Sequence, residues 1–238
     1  MGVASVFALC GGTATTFLMA QAQPKAPQAP AGGVGGPAGG PAAPGGRATA
    51  SPLDATKPVK LELAEGTTAR FRVREQLAGV NFPSDAVGTT QSVTGAIVLN
   101  ADGSLNVPQS KITVDLRTLK TDQEMRDGYV QNNTLETAKY PLLEFVPKRI
   151  IGLSSPLPSG RGAQAGFQIV GDMTMHGVTT EVTWNMVATF SDTMVAGHGN
   201  TTLNFAMFKM TKPSLARLLS VDDKIDLEIE FKCKRSVM

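Results

Sequence analysis

An all-β domain is what this chain predicts: an antiparallel barrel of about eight short strands closed around one apolar face, with one or two short helices. Three observations carry that expectation. From Leu61 onward apolar and polar side chains alternate, and alternation at period 2 puts every second side chain on the same face of a strand. Turn signals separate the alternating runs, with Ala101-Asp102-Gly103 and His176-Gly177 linking neighbours tightly enough to make them antiparallel. The polar face is too rich in charge to be the lipid-facing wall of a membrane barrel, so the apolar face turns inward and the charged face meets water.

Residues 1 to 22 carry no charge and hold two short apolar stretches, Val3 to Cys10 and Phe17 to Ala20, before the A-x-A pattern Ala20-Gln21-Ala22. This predicts a signal peptide cut after Ala22 and a periplasmic or secreted protein. No Lys or Arg follows Met1, so a disordered start to a cytoplasmic protein stays open beside it. Leu9 stands before Cys10 where a lipid-attachment motif wants a small residue, which argues against lipidation. Residues 23 to 58 hold eight Pro and eight Gly in 36 positions and almost no large apolar side chain. Such a segment cannot offset its ordering entropy by burial and reads as a disordered linker. The barrel domain is then expected over residues 59 to 238.

Within that domain Ala69, Phe71 and Val73 alternate with arginines, and Ile112, Val114 and Leu116 alternate with Thr113, Asp115 and Arg117. Ile97 and Leu99, then Leu143 and Phe145, continue the pattern. It runs on through Phe167, Ile169, Met173 and Met175, through Val182, Trp184 and Met186, and through Leu203, Phe205 and Met207. The last run is the longest, with Ile225, Leu227, Ile229 and Phe231 set against Asp226, Glu228, Glu230 and Lys232. Eight strands is the number at which a barrel interior is just wide enough to be filled or to hold one small ligand. Two stretches do not alternate and are expected as short helices: Thr121 to Lys139, and Lys212 to Ser220, where Pro213 would open a turn carrying Leu215, Leu218 and Leu219.

Composition removes several classes of function. No apolar run approaches the ~20 residues of a membrane helix. Lys25, Arg47, Lys57 and Asp54 account for the whole formal charge of +2, so the barrel region is neutral and lacks the basic excess of a nucleic-acid binder. Cleavage after Ala22 would leave Cys233 as the one cysteine, with no internal disulfide. There is no HxH, HExxH or CxxC for a metal, and no G-x-S-x-G for nucleophilic catalysis. The histidines read as structural, His176 bonding in a turn and His198 decorating a loop. Neither a catalytic residue, a metal nor a cofactor is expected.

Two stretches carry a resemblance. Arg126-Asp127-Gly128-Tyr129 followed by Leu135-Glu136-Thr137-Ala138-Lys139-Tyr140-Pro141-Leu142-Leu143-Glu144-Phe145 resembles the "RD…L…KYP…F" segment of the YceI-like family. Gly171-Asp172-Met173-Thr174-Met175-His176-Gly177-Val178-Thr179 resembles its "GDLTIHGVT" hairpin. The resemblance implies an extended, eight-stranded antiparallel lipocalin-like β-barrel, usually exported and generally not enzymatic, holding a long-chain isoprenoid or other amphiphilic, fatty-chain lipid in its lumen. The chain departs from the family pattern in its long 152–166 loop, in Asn204-Phe205-Ala206-Met207-Phe208-Lys209, and in the first strand, which reads Phe71-Arg72-Val73-Arg74-Glu75.

Joined to the alternation, the resemblance gives the expected ligand contacts: Phe71, Val73, Ile97, Leu99, Ile112, Val114, Phe145, Ile169, Met173, Met175, Val182, Trp184, Met186, Phe205 and Met207. Arg126 and Asp127 are the candidate head-group contacts at the mouth, although an internal salt bridge fixing the helix would use Asp127 as well. Methionines on the inner face suit a flexible chain, and they suit an ordinary core equally. Period alone does not separate a hollow barrel from a solidly packed structural or interaction module. The protein is expected as a monomer or homodimer.

Overall fold

The computed structural model describes residues 57–159, 162–214 and 216–238. The signal-peptide expectation, nearly all of the linker and Leu215 lie outside the described residues. Among the described residues ten strands form one antiparallel sheet: β1 (Val59–Leu63), β2 (Thr68–Leu77), β3 (Ser84–Thr90), β4 (Val93–Leu99), β5 (Lys111–Asp115), β6 (Leu142–Ile151), β7 (Ala163–Met175), β8 (Val178–Phe190), β9 (Met194–Asn204) and β10 (Leu218–Val237). The order is β1-β4-β5-β6-β7-β8-β9-β10, and β1 pairs with β10 to close the ring.

Ten strands make eight staves because two staves are interrupted. β10 is 20 residues long. One of its edges carries β9, and its other edge carries β2 against Leu218 to Glu230 and then β1 against Cys233 to Val237. β1 and β2 are thus two halves of one stave, broken at Gly66, where φ is +85°. The buried Thr67 seals that break, its hydroxyl donating to the Ala64 carbonyl at 2.9 Å and accepting the Lys232 N–H at 3.2 Å. β3 and β4 form the matching stave, pairing with β2 and β1 and separated only by Gln91 and Ser92.

The expected alternation holds along the longest strands. In β8 the inward side chains Val182, Met186, Ala188 and Phe190 are buried and the intervening Thr183, Asn185, Val187 and Thr189 are exposed. β7 and β8 meet at His176-Gly177, both at positive φ (+52° and +72°), the two-residue turn whose twist matches the flanking strands. At the end where β1 begins and β10 finishes, the buried Arg235 donates to the carbonyls of Pro158 (2.8 Å) and Ser191 (3.2 Å), tying the β6–β7 loop and the β8–β9 turn across the barrel.

The polar stretch after Thr121 is helical as expected, with α1 at Glu124–Tyr129 followed by a π-turn at Val130–Thr134. It lies across the other end of the barrel. There, apart from the Thr89–Lys120 bridge, β3 has no strand partner beyond β2 among the described residues. The second expected helix is not formed by the described residues between Lys212 and Ser220. Leu218 to Ser220 pair with the end of β2 and so open β10, while the Ser214 N–H donates to the Tyr129 hydroxyl at 3.2 Å and holds the preceding segment against α1. Two further expectations are corrected. Phe205 and Met207 do not continue β9, because the Asn204 carboxamide accepts the Met207 N–H at 2.9 Å and turns Phe205–Phe208 into a short 3-10 helix. His198 is on no loop: it sits in β9 opposite Val187 and Glu230, facing out.

Candidate functional site

Inside the staves lies a cavity of about 240 Å³, far more than the ~10–15 Å³ that one water requires. Its wall is almost wholly apolar and draws on every stave. It runs from Leu63, Leu153 and Val195 at one end to Leu119, Arg126 and Val221 under α1 at the other. The burial pattern is the mark of hollowness. Phe71, Ile97, Ile112, Phe167, Trp184, Leu227 and Ile229 point inward and line this space, yet they are only partly buried. A filled core would cover them completely.

Cross-strand register keeps the space open. Phe71 stands opposite Gly88, and a Cβ at Gly88 would lie 2.1 Å from its ring, so the ring lies over the glycine against the wall. Met186 stands opposite Gly199 and covers it in the same way, with its sulfur 2.3 Å from where a Cβ would be. Ile229 is flanked in register by that same Gly199, under Met186, and by the small Ala69, and its side chain lines the cavity.

Of the residues expected to contact a ligand, Phe71, Val73, Ile97, Leu99, Ile112, Val114, Phe145, Met175, Trp184, Met186 and Phe205 line the cavity. Ile169, Met173 and Val182 face inward but are packed away from it among buried side chains, Met173 completely so. Met207 also falls outside it: the 3-10 turn carries it off the inner face, where the Thr180 hydroxyl reaches its carbonyl at 3.3 Å. Leu227, Ile229 and Phe231 of the inward-facing run in β10 line the cavity as well.

The α1 end holds the polar part of the lining. Arg126 is largely buried and its Nη2 lies 2.5 Å from Oε1 of the buried Glu75, while Nη1 reaches Asp122 at 2.5 Å. Glu75 is a site residue that alternation did not single out, since the charge falls on the inward phase of β2 and its partner is 51 positions away. Asp127 plays a different part. It is buried but not on the cavity, and its Oδ1 accepts the Thr121 N–H at 2.7 Å and hydroxyl at 2.8 Å, with Lys120 at 3.5 Å. Burial pushes this carboxyl up, and the hydrogen bonds from Thr121 and the charge of Lys120 outweigh it, so it is held below the usual carboxylate range. Asp127 fixes the entry to the helix.

His176 is structural in the way expected of it: its Nδ1 is 3.1 Å from the Phe208 carbonyl and its ring meets Tyr140 edge-on. No group of three or more His, Cys, Asp or Glu that could hold a metal occurs among the described residues. Cys233 lines the cavity, and burial pushes its thiol up to about 12, so at neutral pH it is an inert thiol. The arrangement offers a long apolar slot with one buried ion pair at its end.

Solved structures share the fold at low identity. A polyisoprenoid-binding domain from Saccharophagus degradans, implicated in plant cell wall breakdown, has a TM-score of 0.57 at 12% identity, over 74% of this chain and 98% of that one. BcnA of Burkholderia cenocepacia gives 0.51 at 16%, over 69% and 95%. A variant YceI protein of Campylobacter jejuni gives 0.50 at 17%, over 67% and 90%. None of the curated proteins matches the chain. The model of the YceI-like domain matches residues 56–233, which spans every stave of the barrel, and the chain therefore belongs to the YceI-like family.

Proposed function

We propose that this barrel is an exported, non-enzymatic binding protein that holds one long-chain isoprenoid or similar amphiphilic lipid in its lumen. The observation that carries the reading is the set of inward apolar side chains left partly exposed around a continuous apolar cavity. The Saccharophagus degradans domain of the same fold, described as polyisoprenoid-binding, supports it. So does the energetics of transfer: each CH₂ moved from water into such a space gains ~0.8 kcal/mol before ordering costs, so a chain of some fifteen carbons needs no charged contact to bind. Arg126, paired with Glu75 where the cavity meets α1, is the group placed to meet the polar end of the ligand. Export rests on the uncharged apolar stretch that ends in Ala20-Gln21-Ala22.

Trp184 reports the test. It is the chain's single tryptophan, lines the cavity and stands edge-on to Phe145 at 6.5 Å. Titration with geranylgeraniol should change its emission saturably at one equivalent, with a shorter prenol binding more weakly. Emission unmoved by prenols and by palmitate alike would contradict the proposal and favour a structural module.

A further inference from the structure

Among the described residues, the three most exposed large apolar side chains gather at the end of the barrel that carries α1. Met125 on α1 is 89% exposed, Phe82 in the β2–β3 loop 79% and Leu219 at the start of β10 67%, with Val80 beside Phe82 at 47%. Three segments distant in sequence are drawn together there. Leu218 pairs with Leu77, and the Ala78 N–H donates to the Arg217 carbonyl at 2.8 Å, which sets Leu219 beside the β2–β3 loop. The Arg126–Glu75 pair sets α1 beside the end of β2. Beneath them the cavity wall continues through Glu75, Arg126, Tyr129, Pro213, Leu218 and Val221.

We propose that this end docks on a lipid bilayer, with Phe82, Met125 and Leu219 entering the interface so that a membrane lipid passes into the cavity without crossing water. The inference rests on the reading that the cavity holds a lipid. Charge chooses the occupant. The polar neighbours of these tips are of both signs and largely paired among themselves, Arg74 with Asp85, Arg126 with Asp122, and Lys212 with Asp223 at 3.6 Å. Such a rim has no basic excess to seek anionic partners, so it fits a zwitterionic surface entered by apolar tips. A second copy of the chain fits less well. A stable dimer covers about 800 Å² on each partner, and here isolated tips stand between the charged side chains of Asp122, Glu124, Arg217, Asp222 and Asp223.

The test uses the full chain with Cys10→Ser and an environment-sensitive nitrobenzoxadiazole dye on Phe82→Cys, with Val187→Cys, outward on β8, as the control position. Phosphatidylcholine vesicles should raise the emission at position 82 severalfold, with little dependence on salt, and leave position 187 unchanged. Equal responses at both positions, no response at position 82, or shielding of that position by self-association without vesicles would each overturn the proposal. In a second arm, Phe82→Asp, Met125→Asp and Leu219→Asp together should slow uptake of prenol from vesicles by roughly tenfold or more. The same variant should bind prenol dispersed from ethanol as the wild type does, which also shows that it folds. The two readings fail separately: a silent dye with normal binding of dispersed prenol removes the docking proposal alone, and an inserted tip without prenol binding removes the lipid-holding proposal alone.

Discussion

Ile229→Trp is expected to abolish lipid binding while leaving the barrel folded. Ile229 faces the lumen from the middle of β10, with Gly199 on one side and Ala69 on the other, and it remains partly exposed. An indole placed there fills space that is empty in the wild type. Melting should therefore move by no more than about 1 kcal/mol in stability, because overpacking costs of ~1–3 kcal/mol arise where a core is already full. Affinity for a radiolabelled long-chain prenol should fall by roughly a hundredfold or more, about 3 kcal/mol. Thr183→Trp, outward on β8, should change neither. A steep loss of stability in Ile229→Trp, with the wild type unable to bind prenol, would mean that the barrel is solid.

The second large effect is one of stability, and it separates the wall of the cavity from the packing around it. Phe208 is fully buried, lies off the cavity and is held by the 3-10 turn, whose carbonyl at Phe208 meets His176. Phe208→Ala should cost ~3–5 kcal/mol, read as a lower midpoint of urea unfolding at unchanged slope. Ile97→Ala removes a side chain with the cavity on one side of it, so fewer contacts are lost, and the cost should fall at or below the ~2 kcal/mol floor of that class. Equal costs for the two would show that Ile97 is packed on every side.

Much of the fold was legible because alternation is local. The inward and outward faces of β2, β8 and β10 follow from period 2 alone, and the positive-φ turn at His176-Gly177 follows from the glycine. The expectations fail where a bond outside the alternation decides, distant in one case and local in the other. Leu218 and Leu219 read as helical beside Pro213, but the end of β2 claims them as strand. Phe205 and Met207 keep the period of β9, but the Asn204 side chain ends that strand one residue earlier.

The site was legible in part for the same reason. Period 2 identifies which side chains point in. It does not show that Phe71 lies over Gly88 and Met186 over Gly199, since those pairings come from register across strands. Hollowness resides in that register. It also divides residues of one phase, leaving Trp184 and Met186 on the cavity and Val182 packed beyond its end. Asp127 drew notice as a polar residue beside Arg126, whereas the residue that shares the cavity's end with Arg126 is Glu75, an acid on an otherwise apolar phase.

The central claim is that the lumen is a place for a lipid. Protein purified from its native source without detergent, extracted into organic solvent and analysed by mass spectrometry, tests it most directly. The account predicts one class of long-chain lipid at close to one equivalent per chain, lost in Ile229→Trp and retained in Thr183→Trp. An extract without stoichiometric lipid, from protein that also refuses added prenol, would contradict it.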